Sequence, residues 1–160
     1  MNNFKIEQKD AFRLVAFKTK LEGSQKIHSE QFSSQKTEFF KNMLQNGNMS
    51  SLRPLAESKF GYAAVATDEK STFYYAGVKT SQPAISEAEE VLFPEGKYLV
   101  LEGKGGLSRL AFDKLEDQAF KEILTKDYDY EYNGKPIAEI LTNGNPADCE
   151  VEVWIPVNQK

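Results

Sequence analysis

Hydrophobic positions along this chain recur with two different periods, and the switch between them comes in the same order twice. Alternation of the strand type, in which every second side chain shares a face, runs over Phe12–Thr19, Phe60–Thr67, Thr72–Thr80, Lys97–Glu102, Pro136–Leu141 and Glu150–Val157. Spacing of three and four, the mark of a helix, occupies two stretches. Ser29–Leu44 carries the apolar stripe Phe32, Phe39, Phe40, Met43 and Leu44 and closes on Asn46-Gly47, a common helix stop. Ser108–Leu124 carries Phe112, Leu115, Ala119 and Ile123. The polar turn Asp68-Glu69-Lys70 separates one strand pair, and Thr142–Asp148, with its Asn-Gly-Asn-Pro run, separates the other. The order is strand, helix, strand, strand, and then the same again. A further strand, Phe4–Gln8, leads into the first copy, and the polar segment Ser81–Gly96 links the copies. The predicted fold is α+β: tandem duplicated strand-helix-strand-strand units form a mainly antiparallel sheet with two helices on one face. The chain reads as one domain, residues 1–160, with repeat one over about 1–80, the link over 81–96 and repeat two over about 97–160.

Duplication has a physical consequence. Each copy covers one face of its short sheet with its helix and leaves the other face unsatisfied. Pairing the copies about a pseudo-two-fold axis closes that gap and leaves a seam, and concave seams favour small-molecule sites. The last strand is the most informative piece. Val151, Val153, Ile155 and Val157 share one face, predicted to lie against the helices, while Glu150, Glu152 and Trp154 share the other. A carboxylate mid-strand beside the only tryptophan suits a cation with an aromatic body, because an aromatic face attracts cations. The competing reading is a solvated outer face carrying a stray Trp. The matching strand of the first copy carries Phe73, Tyr74 and Tyr75. Tyr62, Tyr74, Tyr75 and Tyr98 supply further flat apolar area, although strands favour aromatics in any case.

Composition removes several function classes. The chain has 160 residues, 24 acidic and 20 basic side chains and a net charge of -4, with no block of Lys or Arg to grip a nucleic acid. The single cysteine, Cys149, excludes an internal disulfide and reads as a small structural residue. The single histidine, His28, rules out multi-His metal sites and reads as surface structure before the first helix. No metal and no cofactor is expected. With no leader pattern and no long apolar run, the sequence predicts a soluble, cytoplasmic protein that avoids membranes. Gly103-Lys104-Gly105-Gly106 lacks P-loop spacing and reads as a strand-to-helix turn. Asp127–Tyr132 reads as a solvated connector.

Tyr74-Tyr75-Ala76-Gly77-Val78 after Phe60-Gly61-Tyr62 resembles the first-repeat signature of the GyrI-like, AraC-type effector-binding domains of bacterial transcription activators. Pro94-Glu95-Gly96-Lys97-Tyr98 with Gly103–Gly106 is similar to that family's entry into its second repeat. Pro136-Ile137-Ala138-Glu139-Ile140 and the closing Glu150-Val151-Glu152-Val153-Trp154-Ile155-Pro156-Val157 resemble its ending, and this last run is the most specific part. The resemblance covers nearly the whole chain and implies a stand-alone member. It implies the duplicated fold, a pocket between the repeats for bulky lipophilic cations, and Glu152 as the central binding glutamate. Trp154, Tyr74, Tyr75, Tyr62, Tyr98 and Phe60 are then the candidate ligand-binding residues, with no catalytic residue assigned. Two positions depart from the family: Leu141 and Glu150 stand where aromatics are usual.

Three function classes follow. The first is a multidrug sensor or sequestering module for transcription regulation, binding lipophilic cations without chemistry. It has no direct nucleic-acid contact and works as a monomer or weak dimer beside a separate DNA-binding regulator. The second is a hydrolase of cyclopropane-type toxins using Glu152 with a pocket tyrosine, a chemistry the resemblance implies for some members. The third is a gyrase-inhibitor-like interaction protein, for which a charge of -4 is a thin nucleic-acid mimic.

Overall fold

The computed structural model describes residues 4–24, 26–68 and 70–160. The described residues form nine antiparallel strands and three α-helices. Strands β1 (Phe4–Lys9) and β2 (Phe12–Leu21) precede α1 (Ser33–Gln45) and α2 (Asn48–Leu52), and β3 (Gly61–Thr67), β4 (Thr72–Lys79) and β5 (Glu89–Phe93) follow. The second half has β6 (Gly96–Lys104), α3 (Ser108–Gln118), β7 (Tyr130–Tyr132), β8 (Ile137–Leu141) and β9 (Glu150–Gln159). The strands line up as β1-β6-β9-β8-β3-β4-β2-β5, with β7 added beside β9. The fold class is therefore the one the alternation predicts. Two polar segments hold strands that their composition hides: β5 lies within 81–96, and β7 within Asp127–Tyr132, where backbone pairing with Val157–Gln159 outweighs a solvated side-chain pattern. The turn expected at Asp68-Glu69-Lys70 lies partly outside the described residues.

Both helix ends have local causes. A short 3₁₀ turn, Glu30–Phe32, starts where the Ser29 side chain accepts the Gln31 N–H. Gly47 at φ 82° stops α1, a backbone angle that favours glycine. The stripe of α1 packs as read at Phe32, Phe39, Phe40 and Met43 and departs from its sequence reading at Lys36 and Leu44. Phe32, Lys36 and Met43 are buried, while Leu44 is 49% exposed. Helix α3 ends in a π-turn, Ala119–Ile123, and buries Phe112, Leu115, Ala119 and Ile123 against Val151, Val153, Ile155 and Val157.

The sheet is strongly curled. Strand β1 sits at one edge beside β6, yet it runs into β2, six places along, through Asp10 and Ala11 alone. In a flat sheet that separation is about 29 Å at the usual strand spacing. Two linking residues span only about 11 Å. The same conflict holds for β5, which pairs with β2 but runs into β6 through Pro94 and Glu95. The two edges therefore come together, and each half lends its leading strand to the other. The helices cover the convex face. The concave face holds a second core built from Leu14, Ala16, Tyr62, Ala64, Tyr98, Val100, Ala138 and Ile140. Phe12 of β2 reaches Trp154 of β9, four strands away, with ring centroids 5.5 Å apart.

Candidate functional site

The register of the central strands defines the seam. Ala64 of β3 pairs with Ala138 of β8. Outward from this pair, Ala64 meets Tyr75 on β4 and Ala138 meets Trp154 on β9. Tyr75 and Trp154 thus occupy equivalent places in the two repeats, with two fully buried methyl groups between them. One step along the strands, Glu152 pairs with Ile140, which pairs with Tyr62. Glu152, Trp154, Tyr75 and Tyr62 therefore share the concave face, with the first three half-buried and Tyr62 nearly closed off.

Trp154 is held from several sides. Its indole N–H donates to Glu152 Oε1 at 2.8 Å, a charge-assisted bond that fixes both side chains. Phe12 stands edge-on to the indole, and Tyr98 meets it at 6.3 Å and 60°. Phe12 stacks on Phe93 at 4.4 Å. Such aromatic pairs contribute about 0.5–1.5 kcal/mol each beyond burial. Burial pushes the Tyr98 phenol up to about 12. Burial also raises the Tyr62 phenol, and the Glu152 charge adds to the effect.

The predicted site residues separate on one criterion, the face of the sheet. Glu152, Trp154, Tyr75 and Tyr62 come together on the concave side. Tyr98 is on that side too but is 0% exposed, so it supports Trp154 from below. Phe60 lies at the rim, 41% exposed and 6.3 Å from the Tyr62 ring. Tyr74 points the other way, into the helix layer among Leu21, Phe32, Ala63 and Val65. Its neighbour Tyr75 takes the concave position because strand side chains alternate. An open groove of about 770 Å³ adjoins the aromatic cluster from outside, lined by Phe12, Arg13, Lys79, Leu92, Phe93 and Lys135 among others.

The helix layer contains a buried charge cluster that the sequence reading missed. Glu139 of β8 accepts both arms of Arg109 at 3.0 and 2.9 Å, Lys36 at 3.2 Å and the Tyr74 hydroxyl at 3.0 Å. Burial alone would raise its pKa, but Arg109 and Lys36 outweigh that and hold it well below the usual carboxylate range. Nearby Glu116 is pushed well above that range by burial and by the Glu139 charge, and neither of its oxygens has a hydrogen-bond partner among the described residues. His28, read from sequence as surface structure, is instead folded against α3. It sits 2.7 Å from Asp117, with its side chain only 9% exposed. Lys36 and Tyr74 come from the first repeat, and Arg109, Glu116 and Glu139 from the second, so the cluster ties the halves together. A signal existed in the sequence: Lys36, Glu116 and Glu139 fall in phase with the apolar positions around them.

The glycine turn is bonded to the β8–β9 loop through its backbone. Gly105 N–H donates to the Cys149 carbonyl at 2.7 Å and Ser108 N–H to the Pro146 carbonyl at 2.8 Å, which locks the start of α3 to the β8–β9 loop. Cys149 is buried there, with its thiol pushed up by burial.

Residues 5–157 match the model of the Cass2 family, integron-associated effector binding proteins. The chain belongs to this family. No curated protein matches the chain by sequence. Among solved structures, this effector-binding protein is similar to SAV2435 bound to tetraphenylphosphonium, with 17% identity, a TM-score of 0.74 and coverage of 97% of this chain and 93% of that one. A putative bacterial transcription regulation protein from Staphylococcus aureus MU50 superposes with a TM-score of 0.75 at 15% identity, over 99% of both chains. An integron cassette protein from the mobile metagenome of Vibrio cholerae gives 0.68 at 12% identity, covering 98% of this chain and 96% of that one. At such identities the likeness speaks to the fold, and the family match makes this an effector-binding, small-molecule-binding chain. No helix among the described residues is long and apolar enough to cross a membrane.

Proposed function

We propose that this protein binds bulky, lipophilic aromatic cations on the concave face, as a member of the wider GyrI-like, AraC-type group. It acts as a multidrug sensor or sequestering module in the cytoplasm, with a separate protein supplying any DNA contact. The observation that carries this reading is Glu152, a half-buried carboxylate aimed along the seam and oriented by the indole N–H of Trp154 at 2.8 Å. A carboxylate taken partly out of water costs free energy unless it is paired, and a ligand cation offers the pairing. Trp154 and Tyr75, half-buried at equivalent places of the two repeats, offer aromatic faces to flat or tetra-aryl bodies of many shapes. The binding of tetraphenylphosphonium by the similar SAV2435 structure supports the same ligand class.

Titration with tetraphenylphosphonium and, separately, with the anionic tetraphenylborate tests the reading. The cation should bind at least tenfold tighter, about 1.4 kcal/mol. Glu152→Gln should weaken cation binding by about 1.5–3 kcal/mol, the range for a charge-assisted contact, without loss of thermal stability. Unchanged cation affinity in that variant removes Glu152 from the site. A cyclopropane electrophile incubated with excess protein should be recovered intact, because Glu152 orients a ligand here and activates no water.

A further inference from the structure

Lys9 is the last residue of edge strand β1. Phe4 and Ile6 of that strand pack with the convex core, so Lys5, Glu7 and Lys9 take the concave side. The Lys9 ammonium stands 4.1 Å from the centroid of the Trp154 ring and 2.6 Å from Glu7 Oε2. An ammonium over an indole is the contact that a ligand cation would make at this residue. The indole N–H is already given to Glu152, and Phe12 and Tyr98 crowd the ring at 5.5 and 6.3 Å. A cation arriving at Trp154 therefore meets a place that the chain itself has filled.

We infer that Lys9 is a tethered cation that occupies the Trp154 position in the free protein, and that ligands bind by displacing it. This rests on the cation-binding role proposed above for the concave face. Displacement is feasible because the Lys9 side chain is 23% exposed and lies at the end of an edge strand, where its long stem can swing outward. The competition sets specificity. A small hydrated ammonium ion offers the indole no more than Lys9 does, and it has no tether to raise its local concentration. A tetra-aryl or flat delocalised cation adds apolar contact with the half-buried Tyr75 ring, which a compact ion cannot reach while it sits on Trp154. Lys9 thus excludes compact ammonium ions and admits bulky aromatic ones.

Trp154 is the only tryptophan, so its fluorescence reports on this position directly. Tetraphenylphosphonium and tetramethylammonium are titrated into the wild type, Lys9→Met and Lys5→Met. Lys5 is the charge control: it lies on the same strand and face, is also paired with Glu7, at 2.9 Å, and feels the Glu102 and Glu152 charges, but Lys9 is the lysine that stands over the Trp154 ring. Lys9→Met should bind tetraphenylphosphonium about fivefold tighter, in line with loss of a competing cation–π contact, and should gain a response to tetramethylammonium. Lys5→Met should shift either by less than about twofold, since exposed pairs are weak. Without ligand, Lys9→Met should raise acrylamide quenching of Trp154. Equal tightening in both variants means that loss of positive charge near Glu152, and not release of the indole, is at work and overturns the inference. Unchanged affinity and unchanged quenching in Lys9→Met overturn it as well, while leaving the binding role intact. If neither the wild type nor Lys9→Met binds tetraphenylphosphonium, the binding role itself fails, and the displacement mechanism with it.

Discussion

At the residue scale, the two buried glutamates of the helix layer illustrate how neighbours decide charge. Glu139, held low by Arg109 and Lys36, stabilises the fold above the ordinary carboxylate value of about 4.3, and that contribution is lost as pH falls through its depressed native pKa. Glu116 works in the opposite direction. Its native pKa is raised by burial and by Glu139, so between about pH 4.3 and that raised value the native state holds a proton the unfolded state has released. Its contribution to stability therefore falls as pH rises through that window. Gln imitates the protonated carboxyl, so Glu116→Gln should melt much like the wild type at pH 5 and above it at pH 8. Melting temperatures of both proteins at the two pH values check this. A constant difference between them would mean that Glu116 ionises like an ordinary carboxyl.

At the element scale, close approach of backbones is the strictest demand. Gly77 of β4 pairs with Ala16 of β2. A methyl group added there would collide with the Val15 carbonyl and would lie 2.6 Å from the Ala16 Cα. No rotamer relieves a backbone clash, so Gly77→Ala should cost about 3 kcal/mol or more, at the upper end of overpacking effects. Chemical denaturation measures it, and a loss below about 1 kcal/mol would show that β2 and β4 can separate locally. The strand pattern was largely legible in the sequence because burial on one face writes a period of two. Thus Val151, Val153 and Ile155 against Glu152 and Trp154 could be sorted by alternation alone. The same rule separates Tyr74 from Tyr75, but a family signature that names both as one motif hides the separation. Strands β5 and β7 were illegible for a different reason: they are held by backbone pairing at the margins of the sheet, where side chains carry little hydrophobic signal. Lys36 was passed over because a lysine in an apolar stripe looks like a break until its partner, 103 residues away, is known.

At the scale of the whole molecule, each half depends on the other for an edge strand, a concave core and a share of the buried charges. Fragments 1–94 and 95–160, expressed apart, should each lack a cooperative thermal transition, and mixing them should restore one. A cooperative melt of either fragment alone would show that its core closes without its partner. The crossed leading strands also bear on ancestry. Two identical chains exchanging their first strands about a true two-fold axis would build this same sheet, and every group beside the axis would then come in pairs. A carboxylate at the Glu152 position would be repeated at Phe73, and the Tyr98 ring at Ala16, the places that strand register makes equivalent. Covalent fusion removes that obligation. One half was free to keep an apolar surface while the other gathered acids, the exposed Glu102 and Glu150 and the half-buried Glu152, so a site born symmetric can meet its guest with charge on one side only.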